Sequence, residues 1–204
     1  MKMDIVIAGV GGQGNIFASL AISQFAMNQG YKVAGAETIG AAQRGGSVVS
    51  HIRISDAPIY APLISRGQAD LLIGMEAVEM LRHMRLLNPE GMYLLNFLKI
   101  PTVLNNMGLD EYPEEKAIVR ATRTYCPNGR AVDATGTARK LGNVQMTNVV
   151  LLGALVTCLP FFETGAIRSL VEELSPKRFK EANMKAFEAG RHLVEEEGEA
   201  PCLN

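Results

Sequence analysis

DIVIAGVGGQG, residues 4–14, joins a continuous apolar, mostly β-branched run to a cluster of glycines. A run without polar alternation marks a strand buried on both faces. Gly9-Val10-Gly11-Gly12-Gln13-Gly14 then satisfies G-x-G-x-x-G between that strand and a helix. Such a loop lets backbone N–H groups and the positive end of the helix approach an anion. From Gly14 an amphipathic helix is expected to about Asn28, with Ile16, Leu20, Ala21, Ala26 and Met27 in the core. Gly30 ends it, and Tyr31 to Ala36 gives a second strand, completing a βαβ beginning.

Beyond that strand lies ETIGAAQRGGSVVSHIR, residues 37–53. Two consecutive glycines free the backbone to come close to another surface, and the Arg44 guanidinium beside them offers forked donors for a carboxylate or phosphate. Ser47 to Ser55 reads as a third strand, with Val48, Ser50, Ile52 and Ile54 on one face and Val49, His51 and Arg53 on the other. Its short, helix-free connection to the second strand predicts an antiparallel or mixed sheet there. Farther on, strands are expected at Leu71 to Gly74, Met92 to Asn96 and Arg130 to Asp133, with a short one near Ala117 to Val119. Asn88 to Gly91 reads as a turn. Helices are expected over Glu76 to Leu87, Thr135 to Leu141, Gln145 to Leu159, 165–174 and 176–196. The fold class is therefore α/β, three layers α/β/α around a mixed, mostly parallel sheet with a helical C-terminal part. Length predicts one domain over residues 1–196 and a flexible tail at 197–204.

Composition excludes several function classes. The 204 residues carry a net charge of −1 with no basic block, so the footprint of a nucleic-acid binder is missing. Lys177, Arg178 and Lys180 read as a solvated helix face. Cys126, Cys158 and Cys202 form neither C-x-x-C nor a ferredoxin-type run, so no zinc or iron–sulfur site is expected in this chain. Free thiols predict a reducing, cytoplasmic setting. The first ten residues lack a signal-peptide pattern, and the apolar stretch Val149 to Phe162 is too short for a bilayer and is broken by Pro160. His51, His83 and His192 lack metal-ligand spacing, and neither a G-x-S-x-G elbow nor a P-loop is present.

Each motif admits a bland alternative. The glycine loop is either an anion site or a tight turn that packs helix on strand. Glu37, 23 residues after Gly14, stands where a ribose-binding acid sits in a dinucleotide fold. Gln43 and Arg44 either face a ligand or partner at the carboxyl edge of the sheet, or fasten their own loop to an acid. His51 is either a catalyst or a hydrogen-bonded structural residue. Asn148, with Gln145 and Thr147 before it, is a polar group on an apolar helix that needs a partner when buried. The candidate ligand- or partner-facing set is Gly11, Gly12, Gln13, Gly14, Glu37, Gln43, Arg44, Gly45, Gly46 and His51, and it lacks a complete set of groups able to perform chemistry. A subunit that completes the active site of another chain fits that pattern; a stand-alone dinucleotide-dependent oxidoreductase is the alternative. In the assembled reading, an apolar patch at the sheet edge or on the terminal helices marks the partner surface.

Four blocks carry a family resemblance: GVGGQGN at 9–15, ETIGAAQRGGSVVSHIR at 37–53, YAPLISRGQADLLIGME at 60–76, and LGNVQMTNVVLLGAL at 141–155 with EANMKAFEAG at 181–190. The chain resembles the small, gamma-type subunits of 2-oxoacid:ferredoxin oxidoreductases, with the indolepyruvate type nearest. The resemblance implies oxidative decarboxylation of a 2-oxoacid to an acyl-CoA with reduction of ferredoxin. Indolepyruvate or a related aryl pyruvate is the substrate it favours; pyruvate, 2-oxoglutarate or a branched-chain oxoacid stays open. It also implies that thiamine diphosphate, Mg and iron–sulfur clusters reside in a large partner subunit, that CoA is a co-substrate, and that this gamma-type domain helps form the substrate or CoA cleft. No nucleic acid or membrane partner is expected, and a homodimer of the isolated chain is left open.

Overall fold

The computed structural model describes residues 1–40 and 45–196. Six strands form one sheet in the order β2-β3-β1-β4-β5-β6. They are β1 (Lys2–Val10), β2 (Lys32–Ile39), β3 (Ser47–Ser55), β4 (Ala69–Gly74), β5 (Leu87–Asn96) and β6 (Gly129–Val132). β3 runs antiparallel to both β1 and β2, while β1, β4, β5 and β6 pair in parallel. Five strands therefore point one way and only β3 is reversed, the mixed, mostly parallel sheet the sequence predicts.

The alternating side chains of β1 serve two cores. Ile5 and Ile7 join Ile52, Ile54, Leu71, Ile73, Met92 and Leu94 beneath α1 (Asn15–Asn28), α6 (Thr147–Cys158) and α7 (Thr164–Leu174). Val6 and Ala8 join Val49, Leu72, Tyr93 and Leu95 beneath α2 (Ala77–His83) and α4 (Glu115–Tyr125). Each face is covered, which is why the β1 sequence is apolar throughout. Helix α6 is buried on nearly every side because α8 (Lys180–Glu196) packs behind it. Two shorter helices, α3 (Val103–Asn106) and α5 (Ala134–Lys140), complete the chain.

Three expectations need correction. On α1 the buried positions are Ala18, Ala21, Ile22, Phe25 and Ala26, whereas Ile16, Leu20 and Met27 are exposed. The helix is apolar almost all round, so periodicity did not choose its inward face. Ala117 to Val119 belongs to α4, which turns Ile118 and Thr122 inward at i and i+4. Asn88 to Gly91 is absorbed into β5 as a register irregularity, with Leu87 opposite Ala69 and Met92 opposite Leu71. The expected tail at 197–204 lies outside the described residues.

The carboxyl edge of the sheet as candidate functional site

Because β3 is reversed, its first residues meet the carboxyl ends of the other five strands. The glycine loop after β1 and the corner before β3 therefore share one rim, and the Gly11 N–H donates to the Gly46 carbonyl at 2.9 Å. From here the chain leaves β1 through α1 toward β2, and leaves β4 through α2 toward β5, on the opposite face. The gap between the ends of β1 and β4 is thus the topological switch point, where open α/β sheets receive ligands.

That gap is filled from within. Gln13 folds back so that Oε1 accepts the Val10 N–H at 2.6 Å, while Nε2 donates to the Met75 carbonyl at 3.3 Å. Met75 N–H donates to the Ala8 carbonyl at 2.8 Å, and the buried Asn96 amide adds a second donor to the Met75 carbonyl at 2.8 Å. Asn96 also exchanges hydrogen bonds with Thr135, donating to Oγ1 at 2.9 Å and accepting the backbone N–H at 3.1 Å. Since the Thr147 hydroxyl donates to the Val144 carbonyl at 2.7 Å, the Thr135 hydroxyl is the donor in the 3.3 Å contact between the two threonines. A polar chain thus runs from Gln13 through Met75, Asn96 and Thr135 to Thr147.

Above this chain lies a cleft of about 300 Å³, lined by Gly12, Gln13, Leu98, Arg139, Gln145 and the two threonines among others. Gly14 has φ of 84°, which starts α1 from a left-handed residue. A Cβ there would strike the Asn148 side chain, whose Nδ2 donates to the Gly14 carbonyl at 3.3 Å. Asn148 therefore links the starts of α6 and α1. Asn15 is buried, and its Nδ2 donates to the carbonyls of Ile7 and Val48 at 3.4 and 3.3 Å, fastening α1 to two strands.

The remaining sequence candidates divide. Gly45 and Gly46 stand on the rim with Gly11 to Gly14. Ser47, next in line, lies 3.3 Å from His83 Nε2. Burial first, then the charges of Arg85 and Arg82, hold the His83 pKa below its ordinary value against the raising effect of Glu79. Glu37 lies near the same edge on the α1 side, where Oε1 accepts the hydroxyls of Ser50 at 3.1 Å and Ser19 at 3.3 Å. His51 sits in mid-strand on the other face, with Nδ1 accepting the Ile64 N–H at 3.2 Å. Its pKa is lowered by burial and secondarily by His83. Arg53 is far from the rim: its Nε and Nη2 clasp the fully buried Asp4 at 2.9 and 3.0 Å. Gln43 and Arg44 lie outside the described residues. Sequence reading missed Thr135, Arg139 and Leu98, which come from separate elements and gave no local signal.

Among the described residues, no three His, Cys, Asp or Glu side chains gather as a metal site. Buried thiols are found at Cys126 and Cys158, which belong to the cores on opposite faces of the sheet. This donor set does not fit an iron–sulfur cluster. No helix among the described residues is long and apolar enough to cross a membrane.

Comparison with known proteins supplies the context. The chain is 38% identical over 191 residues to the indolepyruvate oxidoreductase subunit IorB of Archaeoglobus fulgidus, covering 93% of this chain and 94% of that one. Its fold is shared with the gamma subunit of a keto/oxoacid ferredoxin oxidoreductase from Geobacter sulfurreducens (TM-score 0.69, 23% identity, 95% of this chain and 99% of that chain). It is shared too with a 2-oxoglutarate:ferredoxin oxidoreductase from Magnetococcus marinus bearing 2-oxoglutarate, coenzyme A and succinyl-CoA (TM-score 0.72, 19% identity, 98% of this chain and 32% of that chain). Residues 4–193 match the family model described as Pyruvate ferredoxin/flavodoxin oxidoreductase, and by that near-complete match the chain belongs to that family.

Proposed function

We propose that this chain is the small subunit of an indolepyruvate-type 2-oxoacid:ferredoxin oxidoreductase, working in the cytoplasm, and that its carboxyl rim completes the substrate or CoA cleft of a large partner subunit. The observation that carries the reading is the Gly11 to Gly46 hydrogen bond, which draws two glycine corners onto one rim. The 38% identity to an indolepyruvate oxidoreductase subunit over nearly both full lengths supports the type. Coenzyme A in a structure of the same fold supports a CoA-dependent reaction.

In this reading the partner holds thiamine diphosphate, Mg and the iron–sulfur clusters, and passes electrons to ferredoxin. Thiamine diphosphate supplies the carbanion stabilisation that decarboxylation needs. This chain contributes backbone amides at Gly12 and its neighbours, a rigid floor from Gln13 to Thr147, and the Gln43-Arg44 pair of the adjoining corner. Arg44 makes a charge-assisted contact to the carboxylate or phosphate of the ligand. The dinucleotide alternative is disfavoured by Gln13 filling the switch point and by the serine hydroxyls already engaging Glu37.

The test is co-expression with the large subunit, followed by acyl-CoA formation assays across aryl and aliphatic 2-oxoacids. Arg44→Ala should lower turnover by at least about 30-fold, the equivalent of 2 kcal/mol, with the melting temperature of the isolated chain unchanged. An Arg44→Ala chain that unfolds alone yet leaves assembled turnover intact would make Arg44 a loop fastener. Saturable NAD(H) or flavin binding by the isolated chain would favour the dinucleotide alternative.

A further inference from the structure

After β5 the chain leaves the carboxyl edge and returns as an arm whose two roots are held by one buried carboxylate. Glu76 is 2% exposed. One of its oxygens accepts the Glu79 N–H at the start of α2 (2.7 Å). The other accepts the Ile100 N–H at 3.2 Å and the Tyr112 hydroxyl. The Lys99 ammonium lies over the Tyr112 ring, 4.8 Å from its centroid.

Between these roots the sequence IPTVLNNMGL, residues 100–109, contains no charged residue. The turn of α3 is internally closed by reciprocal Thr102 and Asn105 hydrogen bonds. Yet Val103, Leu104, Met107 and Leu109 are 72, 53, 65 and 69% exposed. A loop with only a connecting task has no use for four large apolar side chains in seven residues. Uncharged, apolar and locally ordered, the segment has the composition of an interface core rather than of a solvated surface.

The arm is also continuous with the rim. Leu98, at its root, lines the same cleft as Gly12 and Gln13. We infer that this arm is an assembly element, whose apolar side chains insert into an uncharged apolar groove on the large, thiamine-bearing subunit; the inference rests on the functional reading above. Charge pairing cannot seat a segment without charges, so the groove must recognise it by shape and apolar burial. The large partner is favoured over a second copy because the arm and the cleft share one edge, the edge turned to that partner. In the Magnetococcus marinus chain, a unit of this fold is continuous with about twice its own length of further polypeptide.

Hydrogen exchange on the holoenzyme and on the isolated chain tests this, together with a V103D/M107D double variant. Peptides covering 100–110 should exchange more slowly in the holoenzyme. The double variant should weaken binding of the large subunit by at least about 30-fold while the isolated chain melts as before. If the holoenzyme forms but the arm exchanges at the isolated rate and the variant assembles normally, the arm has no such role and the functional reading stands. If the unaltered chain binds no large subunit, the functional reading itself fails. Arm protection that rises with the concentration of the isolated chain would assign the surface to a second copy and overturn the inference.

Discussion

Gly153 of α6 and Gly190 of α8 bring two helices together backbone to backbone. A Cβ on Gly153 would lie far inside van der Waals contact with the Phe187 carbonyl oxygen, and one on Gly190 would do the same with that of Val150. The obstruction is main chain on both sides, so no rotamer change relieves it. Alanine gains about 1 kcal/mol of helix propensity over glycine, but separating packed helices costs typically about 1–3 kcal/mol or more. Gly190→Ala is therefore expected to lower stability, read as a reduced urea midpoint. Since α6 carries Thr147 and Asn148 to the rim, the same variant should also impair turnover of the assembled enzyme.

Gln13 offers a second test. Its side chain satisfies the N–H of Val10 and a lone pair of Met75. Gln13→Ala leaves the buried Val10 N–H unpaired, at a cost of about 1–3 kcal/mol, while the Met75 carbonyl keeps its bond from Asn96. Gln13→Glu should also be damaging, because a carboxylate oxygen would then face the Met75 carbonyl. Thermal unfolding of the two variants, both expected below the unaltered chain, checks the point.

The Glu76 clamp predicts a local effect. Glu76→Gln replaces one acceptor oxygen by a donor that faces either an N–H or the Tyr112 hydroxyl. Faster amide exchange at 98–112 is expected, with a stability loss of about 1–3 kcal/mol. Tyr112 reports on the same site from the other side. Burial and then Glu76 raise its pKa above 10.0, so the native state keeps a proton that the unfolded chain loses. Stability is full below about pH 10 and declines as pH rises beyond it. Tyr112→Phe should flatten that decline in an unfolding series.

At the acidic side His51 sets the sign. Its folded pKa lies below 6.5, by burial first and His83 second, so the unfolded state binds the proton more readily. Stability from this residue is present above pH 6.5 and is lost as pH falls through the folded pKa. Protonating Nδ1 also removes the acceptor for the Ile64 N–H. His51→Asn should reduce the slope of stability below pH 6.5, measured by denaturant titration at fixed pH values.

Much of this was legible in order and spacing. The apolar run at 4–8, the glycines after it and the short 37–47 connection are enough to predict a βαβ beginning and a reversed third strand, because hairpin and crossover connections differ so much in length. The inward face of α1 was not legible, since small alanines pack against β3 and α7 while Ile16 and Leu20 stay outside. Ile118 and Val119 resembled a strand through their branched side chains, but Pro113-Glu114-Glu115 starts a helix, and position in the fold outweighed the pair. At the rim, the shared edge of the two corners could be read from the topology. The inward fold of Gln13 could not, because it depends on Met75, 62 residues away. Arg139 and Thr135 were hidden for the same reason.

Strands β2 and β3 are antiparallel neighbours joined directly at the rim rather than through a crossover helix. Slipping β3 by one residue against its neighbours would carry Ile52 and Ile54 from one buried face to the other, whereas lengthening the connection outside the ladders leaves every pair in place. Residues added between Ile39 and Ser47, whether one or two, should therefore spare the body of the protein, which makes this connection a place where the chain can change length at no expense to its interior.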